Sequence, residues 1–219
     1  MSSEQRPVWH KRVNESVTAD ELAERAALWG PLGDELRDLV DTAILSEVEA
    51  DEITAAREHI RAARELLGAK ADTGSFGMHL NDDGLAWNWG NAATGLKNAV
   101  APPLREIPVA EGVRYEADFG AAYEGPPGCL HGGWVALVLD HASGRAAHVM
   151  GNGPTFTGTL TVRYLQPTRL GPVVAKAWVE SRTPTKFIVK CTLSTEDGVT
   201  AESEGVFVLA RWARKPTEG

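Results

Sequence analysis

The chain has 219 residues, 43% of them hydrophobic and 24% charged, with a formal net charge of −8. That acidic balance argues against general nucleic-acid binding, which rests on basic surface. No apolar run approaches the ~20 residues that span a bilayer, so no membrane partner is expected. The length suits one large domain, or one domain with a helical extension.

Taken in chain order, residues 1–17 are expected to be a flexible arm, and residues 18–75 a helical extension. Met1 to Val13 carries charges but no apolar stretch, so it does not read as a secretory signal. Thr18-Ala19-Asp20-Glu21 makes a capping box, and Trp29-Gly30-Pro31 is expected to stop the first helix. Leu36, Leu39, Val40, Ile44 and Val48 share one face of a second helix. Ile53, Ile60, Ala63 and Leu67 mark a third, ending at Gly68. Isolated helices of this length are marginal, so they need a partner surface, on this chain or on another protomer.

Residues 76–212 are expected to form the main domain. Trp87 and Trp89 alternate as on a strand, and ordinary packing is a simpler role for them than capping an apolar pocket. Val113–Phe119 alternates as a strand, and a long apolar helix follows from about His131 to Val149. Four strands are expected near 155–165, 172–182, 186–195 and 199–211, with Asp197-Gly198 turning between the last two. One helix against a mostly antiparallel sheet is an α+β layout. Cys129 and Cys191 lack metal-ligand spacing, and His141 and His148 stand seven apart rather than four, so no metal site is expected. A reduced, cytoplasmic protein without cofactor is the simplest expectation.

The most informative segment is Gly125-Pro126-Pro127-Gly128-Cys129-Leu130-His131-Gly132-Gly133, which leads into a helix carrying Asp140 at its middle. A helix apolar on every side is normally buried, and burying an ionised carboxylate costs several kcal/mol unless it is paired. The glycines leave backbone N–H groups unobstructed at the helix end that favours negative charge. Oxyanion-binding amides beside an acid suit acyl transfer or hydrolysis. From Gly132 to Asp140 is eight residues, about 12 Å along a helix axis. One helix cannot easily bring both groups to one reacting carbonyl, so the spacing predicts a two-fold dimer in which Gly132 of one protomer faces Asp140 of its mate.

This arrangement resembles the hotdog-fold acyl-CoA thioesterases, in the branch of the phenylacetyl-CoA thioesterases and the mammalian thioesterase-superfamily proteins. The carrying residues are His131-Gly132-Gly133, Asp140 nine positions after the His, and Thr157 seven positions before Tyr164 on the next strand; the likeness spans roughly residues 100 to 211. It implies a hotdog fold, an antiparallel sheet around a central helix, behind the N-terminal helical extension. It also implies hydrolysis of acyl-CoA thioesters in a dimer-shared site. Asp140 would be general base or nucleophile, the Gly132 amide the oxyanion donor, Thr157 the residue orienting water or carboxylate, and His131 the shaper of the loop. Gly133, Arg163 and Lys186 would bind substrate, the last two at the phosphates of CoA. Arg163 is expected on the same side of its strand as Thr157, and Tyr164 on the other, in a packing role. Residues 161–190 hold six bases against Glu180 alone, which suits a small polyanion.

One departure stands out: many relatives carry Asn or Gln six residues before the His, and here that residue is Gly125. Two other readings therefore stay open, a non-catalytic acyl-CoA binder or scaffold and a hotdog enzyme acting on acyl-carrier-protein thioesters. Whether dimers pair into tetramers, and which acyl group is taken, are not legible.

Overall fold

The computed structural model describes residues 12–151 and 153–213. Two compact units form, residues 1–91 with 95–99, and residues 92–94 with 100–219. Of the expected arm, residues 1–11 lie outside the described residues, while Arg12–Glu15 is a strand, β1, and Val17 is buried.

In the first unit β1 pairs in parallel with β2 (Met78–Asn81), and β2 pairs antiparallel with β3 (Ala86–Trp87). The capping box forms as expected. Thr18 Oγ1 accepts from the Glu21 N–H at 3.2 Å, and the Glu21 carboxylate accepts from the Thr18 N–H at 2.8 Å. Helix α1 (Ala19–Leu45) then runs on through Gly30-Pro31, and α2 covers Ala50–Gly68. Two helices replace the three expected. An internal proline removes one helical hydrogen bond and costs about 3 kcal/mol, so packing must offset it. Gly33 is buried, and a Cβ there would collide with the Leu96 carbonyl oxygen, so the loop backbone lies directly on the turn after Pro31. The Lys97 ammonium sits 3.6 Å from the Trp29 ring centroid, a cation–π contact on the turn before it. These contacts also explain why residues 95–99 belong to this unit.

Trp87 stacks on His79 with centroids 5.4 Å apart, and Trp89 lies 5.2 Å from Lys97, so both tryptophans serve this unit's own packing. None of the α2 residues is buried. Across an open apolar cleft of about 870 Å³, Leu36 and Leu39 of α1 face Ile60, Ala63 and Leu67 of α2.

The second unit is a six-stranded sheet in the order β4-β5-β7-β8-β9-β6, with every neighbouring pair antiparallel. The strands are β4 (Arg105–Ile107), β5 (Val113–Phe119), β6 (Thr155–Tyr164), β7 (Gly171–Arg182), β8 (Lys186–Thr195) and β9 (Gly198–Leu209). Helix α3 (Gly132–Gly151) packs on one face. The core follows the two-residue period of strands. Val173, Ala175 and Ala177 of β7, Phe187, Val189, Cys191 and Leu193 of β8, and Phe207 and Leu209 of β9 close on Val135, Val138, Leu139, Ala142 and Ala146 of α3. This is the expected α+β layout. Strands β4 and β6 are the two edges of the sheet among the described residues, and Phe156 and Tyr164 of β6 are 47% and 55% exposed.

Candidate active site

The loop entering α3 is fixed from both sides. Glu124 accepts from the Gly128 N–H at 2.6 Å, and Gly128 adopts φ +71, a left-handed conformation that suits glycine. The Leu130 N–H donates to the Thr168 carbonyl at 2.8 Å and the His131 N–H to that of Tyr123 at 2.9 Å. His131 Nδ1 in turn accepts from the Gly133 N–H at 3.0 Å, which leaves the ring proton on Nε2. The Gly133 amide is therefore engaged. The Gly132 N–H, among the described residues, has no acceptor placed on it. It stands at the positive end of the helix dipole.

Asp140 is half-buried, not enclosed. The expectation of a helix covered on every side is corrected: Leu137, Asp140, His141 and Gly144 form a partly exposed stripe at helical spacing. Into this stripe reaches β6. Thr157 Oγ1 donates to Asp140 Oδ1 at 2.8 Å, which engages one carboxylate oxygen.

Past Thr157 the register of β6 against β9 slips by one. Thr157 pairs with Phe207 and Thr159 with Val206, leaving Gly158 as a bulge. The bulge overturns the expectation that Arg163 shares a side with Thr157. Arg163 lies opposite Glu202 and pairs with it at 2.9 Å on the face away from α3. Tyr164 instead turns toward the helix, and its hydroxyl donates to the Gly132 carbonyl at 2.9 Å. Sequence reasoning missed this. The signal was a glycine inside a threonine-rich strand, a mark of a bulge. Lys186 is exposed and pairs opposite Val208, also away from the helix.

Beside Asp140, the His141 ring packs 5.4 Å from the Tyr115 ring, and the Tyr115 hydroxyl donates to Glu106 at 2.8 Å. Arg145 Nε donates to the same carboxylate at 3.0 Å. Burial holds the His141 pKa below its ordinary value, against the pull of Asp140 and Glu106. Burial alone would raise the Glu106 pKa, but bonds from Arg145 and Tyr115 bring it down overall. Cys191 is buried, which pushes its thiol up to about 12, and it is no nucleophile. No cluster of metal-ligand side chains occurs among the described residues.

This loop geometry leaves no room for a side chain at position 125. A Cβ on Gly125 would fall 2.8 Å from His131 Cα and 3.1 Å from its Cβ. The space a side chain would fill is taken by His131.

The Thioesterase superfamily family model matches residues 127–202. Acyl-coenzyme A thioesterase THEM4 from Xenopus laevis is 35% identical over 93 residues, 42% of this chain and 41% of that protein. The matched region thus spans about two fifths of that curated relative's length. The crystal structure of protein RHA08564, a thioesterase superfamily protein, superposes with a TM-score of 0.71 at 26% identity, covering 90% of this chain and 98% of that one. That coverage extends well beyond the matched segment and takes in N-terminal helical residues as well as the sheet. The antiparallel sheet and the helix packed on it have the hotdog fold of these thioesterase superfamily structures, and residues 127–202 match the superfamily's model.

Proposed function

We propose that the chain hydrolyses acyl-CoA thioesters to free acid and CoA. The observation that carries this reading is the 2.8 Å hydrogen bond from Thr157 to Asp140. It fixes one carboxylate oxygen and leaves the other for a water molecule or for the thioester carbon. As general base, Asp140 takes a proton from water as the water oxygen attacks the carbonyl carbon. The C–S bond then breaks and the thiolate of CoA leaves, to be protonated by Asp140 or solvent. As nucleophile, Asp140 would displace the thiolate directly, and water would hydrolyse the resulting anhydride. In both routes the Gly132 N–H holds the carbonyl oxygen as it becomes negative. His131 shapes the loop, since its Nδ1 is occupied by the Gly133 amide. Gly133 then supports the site through its place in the loop and not as a second donor.

A homodimer completes the site in this reading. Gly132 and Asp140 stand eight residues apart, about 12 Å along one helix, too far to meet one carbonyl without a second copy. The free edge of β6, with both site side chains on it, supports pairing at that strand. Arg163 and Lys186 would meet the phosphates of CoA from the far face of the sheet. For Arg163 this means exchanging an exposed ion pair with Glu202, worth about 0–1 kcal/mol. The relative named an acyl-coenzyme A thioesterase supports the CoA thioester as substrate class. No described helix is long and apolar enough to cross a membrane.

The filled space at Gly125 favours one second reading, a domain that binds acyl-CoA without turning it over. Release of free CoA from short, long and aromatic acyl-CoAs, measured beside Asp140→Asn, separates the two. Hydrolysis predicts turnover on at least one substrate, with kcat in the variant lower by about 10²–10⁴-fold. Binding of acyl-CoA with no thiol release by the wild type would leave the binder.

A further inference from the structure

We infer that Tyr164 is a positioning residue for the Gly132 amide, and that the bulge at Gly158 is what brings it there; its bearing on catalysis rests on the thioesterase reading above.

Residues seven apart on a regular strand face opposite ways. Thr157 and Tyr164 are seven apart, and yet both reach α3. The extra residue at Gly158 reverses the alternation between them. One strand thereby touches the helix at two points, Asp140 through Thr157 and Gly132 through Tyr164. The strand is held along its length by β9, with Thr157 opposite Phe207 and Tyr164 opposite Ala201. The distance between the carboxylate and the helix end is in this way set by a paired strand rather than by the helix alone.

The contact at Gly132 has two parts. The Tyr164 hydroxyl donates to the Gly132 carbonyl at 2.9 Å. The edge of the ring lies 3.5 Å from where a Cβ on Gly132 would stand, so the ring lies against the glycine. Both parts act on the residue whose N–H is the oxyanion donor, and neither occupies that N–H. Packing alone does not account for the arrangement, because Tyr164 is 55% exposed and its hydroxyl is aimed at a first-turn carbonyl.

The experiment compares Tyr164→Phe with the wild type, and with Tyr115→Phe as a tyrosine whose hydroxyl bonds Glu106 instead. Phenylalanine keeps the ring and removes the hydrogen bond. A neutral hydrogen bond is worth a factor of about 2–10, so kcat should fall about that much while KM stays within about twofold. Tyr115→Phe should leave amide exchange at Gly133 unchanged. Thermal midpoints report the fold, and NMR amide exchange at Gly133, whose N–H is held by His131, reports the anchor without any turnover. Faster exchange at Gly133, with an unchanged midpoint in Tyr164→Phe, supports the anchor even if the wild type releases no CoA, in which case the thioesterase reading fails on its own. Unchanged exchange overturns the inference. So does a loss of kcat that merely follows a lowered midpoint, or an active wild type whose kcat is untouched by the substitution.

Discussion

His141 stands half-buried one position beyond Asp140, against the Tyr115 ring and near Glu106 and Arg145. Burial favours its neutral form, so its folded-state pKa lies below the ordinary 6.5. His148, further along the same helix, is shifted the same way by partial desolvation and by Arg145. As pH falls below about 6.5 the unfolded chain takes up protons that the folded chain refuses. The stability these rings allow is therefore complete above that pH and is lost as pH falls toward the folded values. Thermal midpoints between pH 7 and pH 5 should decline, and His141→Gln should flatten the decline; a slope that the substitution leaves alone would contradict this. Glu106, whose folded pKa is lowered, acts only below 4.5, outside that window. At this scale much of the site was legible. His131, Gly132, Asp140 and Thr157 stand at spacings that a helix and a strand bring together. Arg163 and Tyr164 were misjudged because counting parity assumes a regular ladder, and one unpaired residue at Gly158 inverts everything beyond it.

Among the elements, β5 to β9 and α3 were readable because period-two and period-3.6 patterns coincide with burial. Helix α1 was not. Gly30-Pro31 is a strong local stop signal, and the contacts that override it come from Leu96 and Lys97, more than sixty residues later in the sequence. No local window contains that information. The test is Gly33→Ala. Its methyl group would collide with the Leu96 carbonyl, and forced overpacking costs about 1–3 kcal/mol. The urea midpoint followed by helical circular dichroism should drop. An unaltered midpoint would mean that the loop is not what carries α1 through its proline.

For the whole molecule, an edge strand that holds Thr157 and Tyr164 would, in the proposed dimer, link assembly to chemistry. If the proposed dimer shares its sites, specific activity should fall on dilution in step with dissociation seen by sedimentation, and recover on concentration. Constant activity in a dissociated sample would rule out sharing. The proposal of a dimer needs only eight residues of helix, a length argument made from the sequence. The acyl group was not legible, because a pocket that the proposed dimer would form between copies is written in no single stretch of sequence.

The close approach of Gly125 to His131 bears on how such a site can change over time. A lineage with glycine here cannot regain a polar side chain at this position in one step, because the first carbon of that side chain would strike the histidine backbone. The loop from Glu124 to Gly128 would have to be rebuilt first, and that rebuilding has no benefit until the side chain arrives. In the proposed site, a polar group that came to assist Asp140 would therefore be more accessible from β6 or from a second copy than from the loop. History would be held in place there by steric exclusion.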